Sequence, residues 1–162
     1  MRNKFLIFNK VLILSLVSQV GNQTATVVAL ACLKEQDLTK DVNQLAIRDI
    51  GGMEVLVNLL EVKDFKCKLG ALYVLRAISS NIDCSRAITD LGGVVSLCEI
   101  LDLAVSDLQL CAAQTIANVC RLRRARKIVR KAGGIPKLVS VNSKDRVSSN
   151  TPGLFGIPAF FF

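Results

Sequence analysis

The sequence DIGGMEVLVNLL at residues 49–60 recurs twice along the chain, as DLGGVVSLCEIL at 90–101 and as KAGGIPKLV at 131–139. The first glycines of the three pairs, Gly51, Gly92 and Gly133, lie at equal intervals along the chain. A constant period of roughly 40 residues, with helical spacing of the apolar residues inside it, is typical of a stacked helical solenoid. The repeat therefore predicts three helices per period: a short one that ends at the glycine pair, a second one, and a longer third.

The composition agrees with a helical domain that has an aliphatic core. Of the 162 residues, 51% are hydrophobic but only 5% are aromatic, so the core must be built from Leu, Ile, Val and Ala. The chain has no Trp and only three Pro, which favours helices over other structure. We predict an all-α protein, a right-handed α-solenoid with a period of about 41 residues.

The repeat pattern divides the chain into three segments. We predict an atypical apolar segment at 1–20, a repeat array at 21–141 and an irregular tail at 142–162 that is rich in Ser, Gly and Pro. Within the array we expect a partial repeat, two complete repeats and an incomplete one, at 21–39, 40–80, 81–121 and 122–141. In the partial repeat, the spacing of Ala25, Val28, Ala29 and Cys32 predicts one buried helix face.

Residues 1–20 allow two interpretations. Arg2 and Lys4 precede an apolar run, as in a secretory signal, but Lys10 interrupts the run and no cleavage site of small residues follows. The alternative is an end helix of the solenoid. Asn22 lies in an Asn-Gln-Thr sequence and would accept a glycan only if the chain were secreted.

No pattern of residues points to catalysis, to a metal or to a cofactor. The six cysteines form no C-x-x-C pair and the chain has no His, so we expect buried, reduced thiols rather than metal ligands. A disulfide framework would require secretion. The glycine pairs lack the context of a phosphate-binding loop. We therefore expect a non-enzymatic protein without a cofactor.

The residues resemble those of the armadillo repeat family. The motifs that carry the resemblance are the glycine pair followed by I-P-x-L-V and a third helix with A-A-x-x-I-x-N-V, at 133–139 and 112–119. From Gly21 to about Val139 the chain is similar, in particular, to armadillo proteins of outer dynein arm docking in cilia. Four segments carry this similarity: 21–27, 44–49, 115–119 and 123–126. The resemblance implies a protein-interaction scaffold whose third helices form a binding surface.

One candidate binding site lies on the third helices. In peptide-binding armadillo proteins, an Asn at the position of Asn118 holds the ligand backbone, and a Trp lies one turn before it. Here Tyr73 and Gln114 occupy the Trp position, and Ala77 replaces the Asn of the preceding repeat. The resemblance therefore makes Tyr73, Gln114 and Asn118 candidates for partner contact, with a plain helix-surface role as the alternative.

The second candidate is a run of seven cations within residues 121–131, which contains no acid. On a helix, Arg123, Arg126, Lys127 and Arg130 share one face, whereas Ala125, Ile128 and Val129 share the other. This pattern predicts either a solvated helix face or a surface for an acidic partner. Nucleic acid is disfavoured because no aromatic residue is interleaved for base stacking.

Together these features predict a scaffold that helps to dock outer dynein arms on ciliary axonemes. The expected partners are docking-complex subunits, the dynein arm or acidic microtubule-associated surfaces, and the expected location is the cytoplasm, cytoskeleton and axoneme. Two alternatives stay open: a peptide-binding adaptor of the importin or catenin kind, and a secreted or membrane-associated helical protein directed by residues 1–20.

Overall fold

The structure, a computed structural model, describes residues 2–148 of the chain and the side chains of residues 6–143. All regular secondary structure in that part of the chain is helical, which confirms the predicted fold class. The ten helices found there are α1 (Arg2–Val20), α2 (Gln23–Lys34), α3 (Asp41–Asp49), α4 (Gly52–Asn58), α5 (Phe65–Ile78), α6 (Ile82–Asp90), α7 (Gly93–Ile100), α8 (Ser106–Val119), α9 (Arg123–Lys131) and α10 (Gly134–Ser148).

The two glycines of each pair have different structural roles. Gly92 has a φ of 82° and its equivalents in the other repeats also have positive φ, a conformation that glycine adopts without steric cost. Gly93 instead lies against its neighbours, because a Cβ placed there would be 3.1 Å from Ile88 Cγ2 and 3.1 Å from Val57 Cγ2. The first glycine therefore makes the turn, and the second allows two helices to approach closely.

The core repeats with the same period as the sequence. Ile47, Ile88 and Val129 are each one repeat period apart and are all fully buried. The third helices of successive repeats stack side by side, α2 on α5 and α5 on α8. Gly70 of α5 permits close contact with α2, since an added Cβ would lie 3.0 Å from Leu30 Cδ1. The result is one continuous aliphatic core along the array.

Helix α1 packs on the first end of the array, against α2, α3 and α4. It buries Ile7, Val11 and Leu14, which follow the spacing of one helix face. No helix in the described part of the chain is both long and apolar enough to cross a membrane. The packing of α1 agrees with the end-helix interpretation of this segment.

The buried face predicted for α2 is wrong at three of its four positions, and only Ala29 is buried as predicted. The structure buries Thr26, Ala29, Leu30 and Leu33, whereas Ala25 and Cys32 are half-buried and Val28 is 57% exposed. The face with two leucines removes more apolar area from water when it packs on the core. The polar member of that face is satisfied, because the Thr26 hydroxyl donates to the carbonyl of Asn22 at 2.9 Å.

At the other end, α10 continues to Ser148, beyond residue 141, where we expected the array to end. The irregular structure expected from 142 is therefore corrected for 142–148. Residues 137–151 contain no Gly or Pro that would break a helix, and Val141 is buried. The rest of the predicted tail, 149–162, lies outside the described residues. The division of the array into repeats at the predicted boundaries stays a prediction.

Candidate functional site

The stacked third helices α2, α5 and α8 bring three predicted site residues into one neighbourhood, here called the third-helix surface. Tyr73 is half-buried on α5, and Gln114 and Asn118 are half-buried on α8. The Gln114 Oε1 accepts a hydrogen bond from Arg76 Nη1 at 2.7 Å, which links the two helices. The prediction that these residues share a surface therefore agrees with their positions, while their role in binding stays a prediction.

The ring of Tyr73 lies close to two cations that were not predicted from the sequence as site residues. The Nζ of Lys34 on α2 is 4.2 Å from the ring centroid, and the guanidinium carbon of Arg76 is 5.4 Å from it. Both distances are within the range of a cation–π interaction. The third-helix surface is consequently positively charged around its one tyrosine, and Lys34 and Arg76 belong to it with Tyr73, Gln114 and Asn118.

The Asn118 amide is already engaged in holding the stack together. Its Nδ2 donates to Ser79 Oγ at 2.9 Å and, more weakly, to the carbonyl of Arg76 at 3.4 Å. Arg121 reaches the same helix end, where its guanidinium donates to the Ser79 carbonyl at 3.0 Å and to the Ser80 carbonyl. Cations and donors near a helix C-terminus stabilise its unpaired carbonyls. Part of the predicted binding chemistry thus serves the array itself.

Arg126 has an internal partner that the helical-face pattern did not reveal. Its Nη1 donates to the carbonyl of Cys120 at 2.8 Å, six residues earlier. The equivalent positions in the two preceding repeats make the same bond, from Gln44 to Leu38 at 2.6 Å and from Ser85 to Ser79 at 2.8 Å. In these three repeats the first helix therefore supplies a donor to a carbonyl at the end of the preceding third helix or in the loop that follows it. Alignment of the repeats at their common period would have exposed this pattern.

The other predicted cations of α9 are free to meet a partner. Arg123, Lys127 and Arg130, here called the basic face, are exposed and make no hydrogen bond or ion pair with the described residues. Arg124, on the same helix, is paired with Asp90 of α6. The structure thus divides the cation run into residues that hold the array and residues that face solvent.

The thiols are arranged as structural residues. Five of the six cysteines are buried and the sixth, Cys32, is half-buried, and none is in a disulfide. Burial raises the pKa of Cys98 to about 11 and the pKa of Cys120 to about 12. Such thiols are protonated at neutral pH and are poor nucleophiles and poor metal ligands. Within the described residues no group of three or more Cys, Asp or Glu could hold a metal ion.

Comparisons of the sequence find two informative relatives, although no protein-family model matches the chain. The armadillo repeat-containing protein gudu of Drosophila melanogaster is 59% identical over 70 residues, which are 43% of this chain and 10% of that protein. The outer dynein arm-docking complex subunit 2 of Bos taurus is 57% identical over 61 residues, which are 38% of this chain and 6% of that protein. The chain thus aligns with a tenth or less of the length of these relatives.

Solved structures show the same architecture over most of the chain. An engineered protein from a structural genomics consortium overlays with a TM-score of 0.73 at 30% identity, covering 87% of this chain and 56% of that one. The armadillo repeats only protein of Plasmodium falciparum overlays with a TM-score of 0.66 at 23% identity, covering 72% and 50%. A designed armadillo repeat protein in complex with the peptide (KR)4 overlays with a TM-score of 0.72 at 18% identity, covering 89% and 58%.

The chain therefore has the armadillo-repeat fold, and its matched segment resembles the armadillo protein gudu and the outer dynein arm-docking subunit.

Proposed function

We propose that this chain is a protein-interaction scaffold that takes part in docking outer dynein arms on ciliary axonemes. The observation that carries the proposal is its 57% identity over 61 residues to a subunit named for that docking complex. The fold supports it, because a stacked helical array presents a long, rigid surface for protein partners. No catalytic step is part of the proposed function.

We infer that the partner bound by the basic face is an acidic protein segment. Arg123, Lys127 and Arg130 lie on one helix without a partner among the described residues, and α9 contains no acid. Like charges spaced three or four residues apart repel, so an acidic segment that approached this face would relieve repulsion as well as gain attraction. An acidic protein segment is preferred to nucleic acid, because α9 offers no aromatic ring for stacking.

A peptide-binding adaptor is the main alternative, since a designed protein of this fold binds the peptide (KR)4. The third-helix surface of this chain does not suit such a basic peptide. Lys34 and Arg76 lie close to the ring of Tyr73, and they would repel the cations of a basic peptide. The Asn118 amide nitrogen already donates to Ser79 Oγ and to the Arg76 carbonyl, so donation to a ligand backbone would compete with these two bonds. An acidic extended peptide would fit this surface better.

The location of the full chain tests the docking proposal most directly. The chain is tagged at its C-terminus and expressed in ciliated cells, and the same lysate is treated with a glycosidase. We expect axonemal signal without a glycosidase shift. A glycosidase-sensitive band in the secretory pathway would mean that Asn22 had met the lumen, and the docking function would then be withdrawn in favour of the secreted alternative.

Charge reversal tests the acidic partner. We expect the triple substitution Arg123→Glu, Lys127→Glu and Arg130→Glu to abolish salt-sensitive binding to a polyglutamate peptide, measured by fluorescence anisotropy. The matched control is Lys63→Glu, Lys66→Glu and Lys68→Glu. Three reversals of two charges each lower the net charge from +8 to +2 in both variants. Equal loss in the two variants would mean that net charge, and not the basic face, governs binding. Arg126 is left in place because it holds the end of α8.

A further inference from the structure

An apolar groove runs along the first end of the array, between α1 and α2. Its volume is about 590 Å³. Helix α1 contributes Lys10, Ile13 and Val17 to the lining. Helix α2 contributes the stripe whose spacing predicted a buried face, namely Ala25, Val28, Ala29 and Cys32. Ile13 is 52% exposed and Val28 is 57% exposed, so the groove is open to solvent.

The α2 side of this groove is the face that the other third helices use for stacking. The equivalent stripe of α5 lies one repeat period later. It consists of positions 66, 69, 70 and 73, which correspond to positions 25, 28, 29 and 32 of α2. In that set, Gly70 approaches Leu30 of α2, and Tyr73 meets Lys34 of α2. In the next period, Gln114 of α8 meets Arg76 of α5. Each of these faces is covered by the preceding third helix, except the one on α2.

We propose that this groove binds an amphipathic helix of a partner protein, which takes the place of a preceding third helix and continues the stack. The established α2–α5 and α5–α8 contacts specify the shape of the occupant: a helix with one apolar stripe, packed alongside α2. This site lies on a different surface from the basic face, and it extends the proposed scaffold function without depending on it.

Lys10 adds a charge requirement to the occupant. Its Nζ donates to the carbonyl of Cys32 at 2.7 Å at the edge of the groove, and no described carboxylate pairs with it. Covering Lys10 with a purely apolar surface would leave its charge uncompensated, which is costly. The partner helix therefore carries an acidic residue beside its apolar stripe.

A second copy of this chain does not meet these requirements. The downstream residues Ala112 and Thr115 of α8 are fully buried, with α10 packed against that helix, so α8 cannot offer its downstream face to another molecule. A symmetric contact between two copies of the groove would bring two Lys10 side chains into one apolar interface, where like charges repel.

The test uses the full chain and a helical probe added to it. The probe is a hydrocarbon-stapled peptide with the sequence of α8, residues 106–119, in which Cys111→Ala removes the thiol and Asp107 supplies an acid. The readout is the rate at which Cys32, the only half-buried thiol in the groove, is alkylated by iodoacetamide, followed by mass spectrometry. At a probe concentration ten times its Kd, we expect alkylation to slow by about tenfold.

Matched variants test whether the probe binds in the groove. Val28→Glu places a carboxylate in the groove and is expected to weaken probe binding by about tenfold or more. Val95→Glu makes the same change at a comparably exposed valine on α7, outside the groove, and is expected to leave binding unchanged. Circular dichroism checks that both variants stay folded.

Three results would overturn the proposal: no protection of Cys32 at any soluble probe concentration, equal protection by a scrambled stapled peptide, or equal protection of the Val28→Glu variant. The localisation and charge-reversal experiments do not involve the groove, so a failure here is distinguishable from a failure of the docking function.

Discussion

Helices α5 and α2 are both third helices, one period apart, yet their equivalent faces have different surroundings. On α5 the stripe that includes Leu69 and Gly70 packs on α2. On α2 the equivalent stripe lines an open groove, and Val28, the equivalent of Leu69, is 57% exposed. The same pattern of apolar residues therefore predicts a stacking face, but whether the face is covered depends on the neighbouring repeat.

This contrast also changes how the cations should be interpreted. Arg126 and Arg123 are three residues apart on one helix face, but Arg126 donates to the end of α8 while Arg123 is exposed and unpaired in the described part of the chain. A helical wheel places them together, because it considers a single helix. The difference arises from the carbonyl of Cys120 at the end of α8, to which Arg126 donates and which a single-helix projection does not include.

The largest difference in the free energy of unfolding is expected between two Ile→Ala variants, one in the stack and one in the groove. Ile88→Ala removes a fully buried side chain between repeats and should lower the free energy of unfolding by about 2–5 kcal/mol. Ile13→Ala, in the open groove, should change it by about 0.5 kcal/mol or less. Urea denaturation of both variants measures the difference, and similar losses would show that the groove is closed in solution.

Substitutions at equivalent positions of α5 and α2 give a sharper comparison. Leu69→Ala on α5 should cost about 1–2 kcal/mol, since Leu69 is half-buried against the core. Val28→Ala on α2 should be close to neutral, because Val28 is 57% exposed at the open groove. Thermal unfolding followed by circular dichroism checks both. A larger loss for Val28→Ala would reverse the comparison.

Substitutions of Arg126 and of Arg123 on α9 should differ by a smaller amount in their effect on stability. Arg126→Met keeps much of the alkyl length but removes the donor to the Cys120 carbonyl, and we expect a loss of about 1 kcal/mol. Arg123→Met is the control and should leave stability unchanged while weakening the binding of an acidic peptide. If both substitutions leave the urea midpoint unchanged, the bond from Arg126 does not contribute to stability.

The rate of thiol labelling compares Cys32, in the groove, with the five buried cysteines. Labelling of Cys32 should leave the free energy of unfolding unchanged. In the native protein one thiol of six, Cys32, should react quickly with a thiol reagent at neutral pH, and Cys32→Ser should remove this fast phase. The remaining thiols should react only on unfolding, because burial keeps them covered and raises the pKa of Cys84 and Cys98 to about 11. Fast labelling of two or more thiols would contradict the buried assignment.

Raised thiol pKa values also predict the direction of a pH effect. The thiols of Cys84 and Cys98 have a pKa near 9 in the unfolded chain, whereas burial raises their pKa in the folded chain to about 11. Above pH 9 the unfolded state therefore binds fewer protons than the native state, and stability falls as pH rises through this window. Well below pH 9 these two thiols are protonated in both states and should contribute no pH dependence.

Much of the fold could be predicted from the sequence because its signals are local and periodic. The glycine pairs, the helical spacing of aliphatic residues and the constant repeat period located the helices of the complete repeats. Less of the site could be predicted. Tyr73, Gln114 and Asn118 do lie near one another, but Lys34 and Arg76 were missed, since their approach to Tyr73 depends on the stacking of α2 on α5.

The sequence by itself determined the period of the solenoid, the helical spacing of its aliphatic residues and the turns at Gly51, Gly92 and Gly133. These features depend on backbone conformation and on helical spacing, which each segment carries in its own residues. Only the tertiary structure decided which stripe of α2 is covered and that Arg126 has an internal partner. Burial and hydrogen bonding require a second group in place, and here that group belongs to another helix of the array.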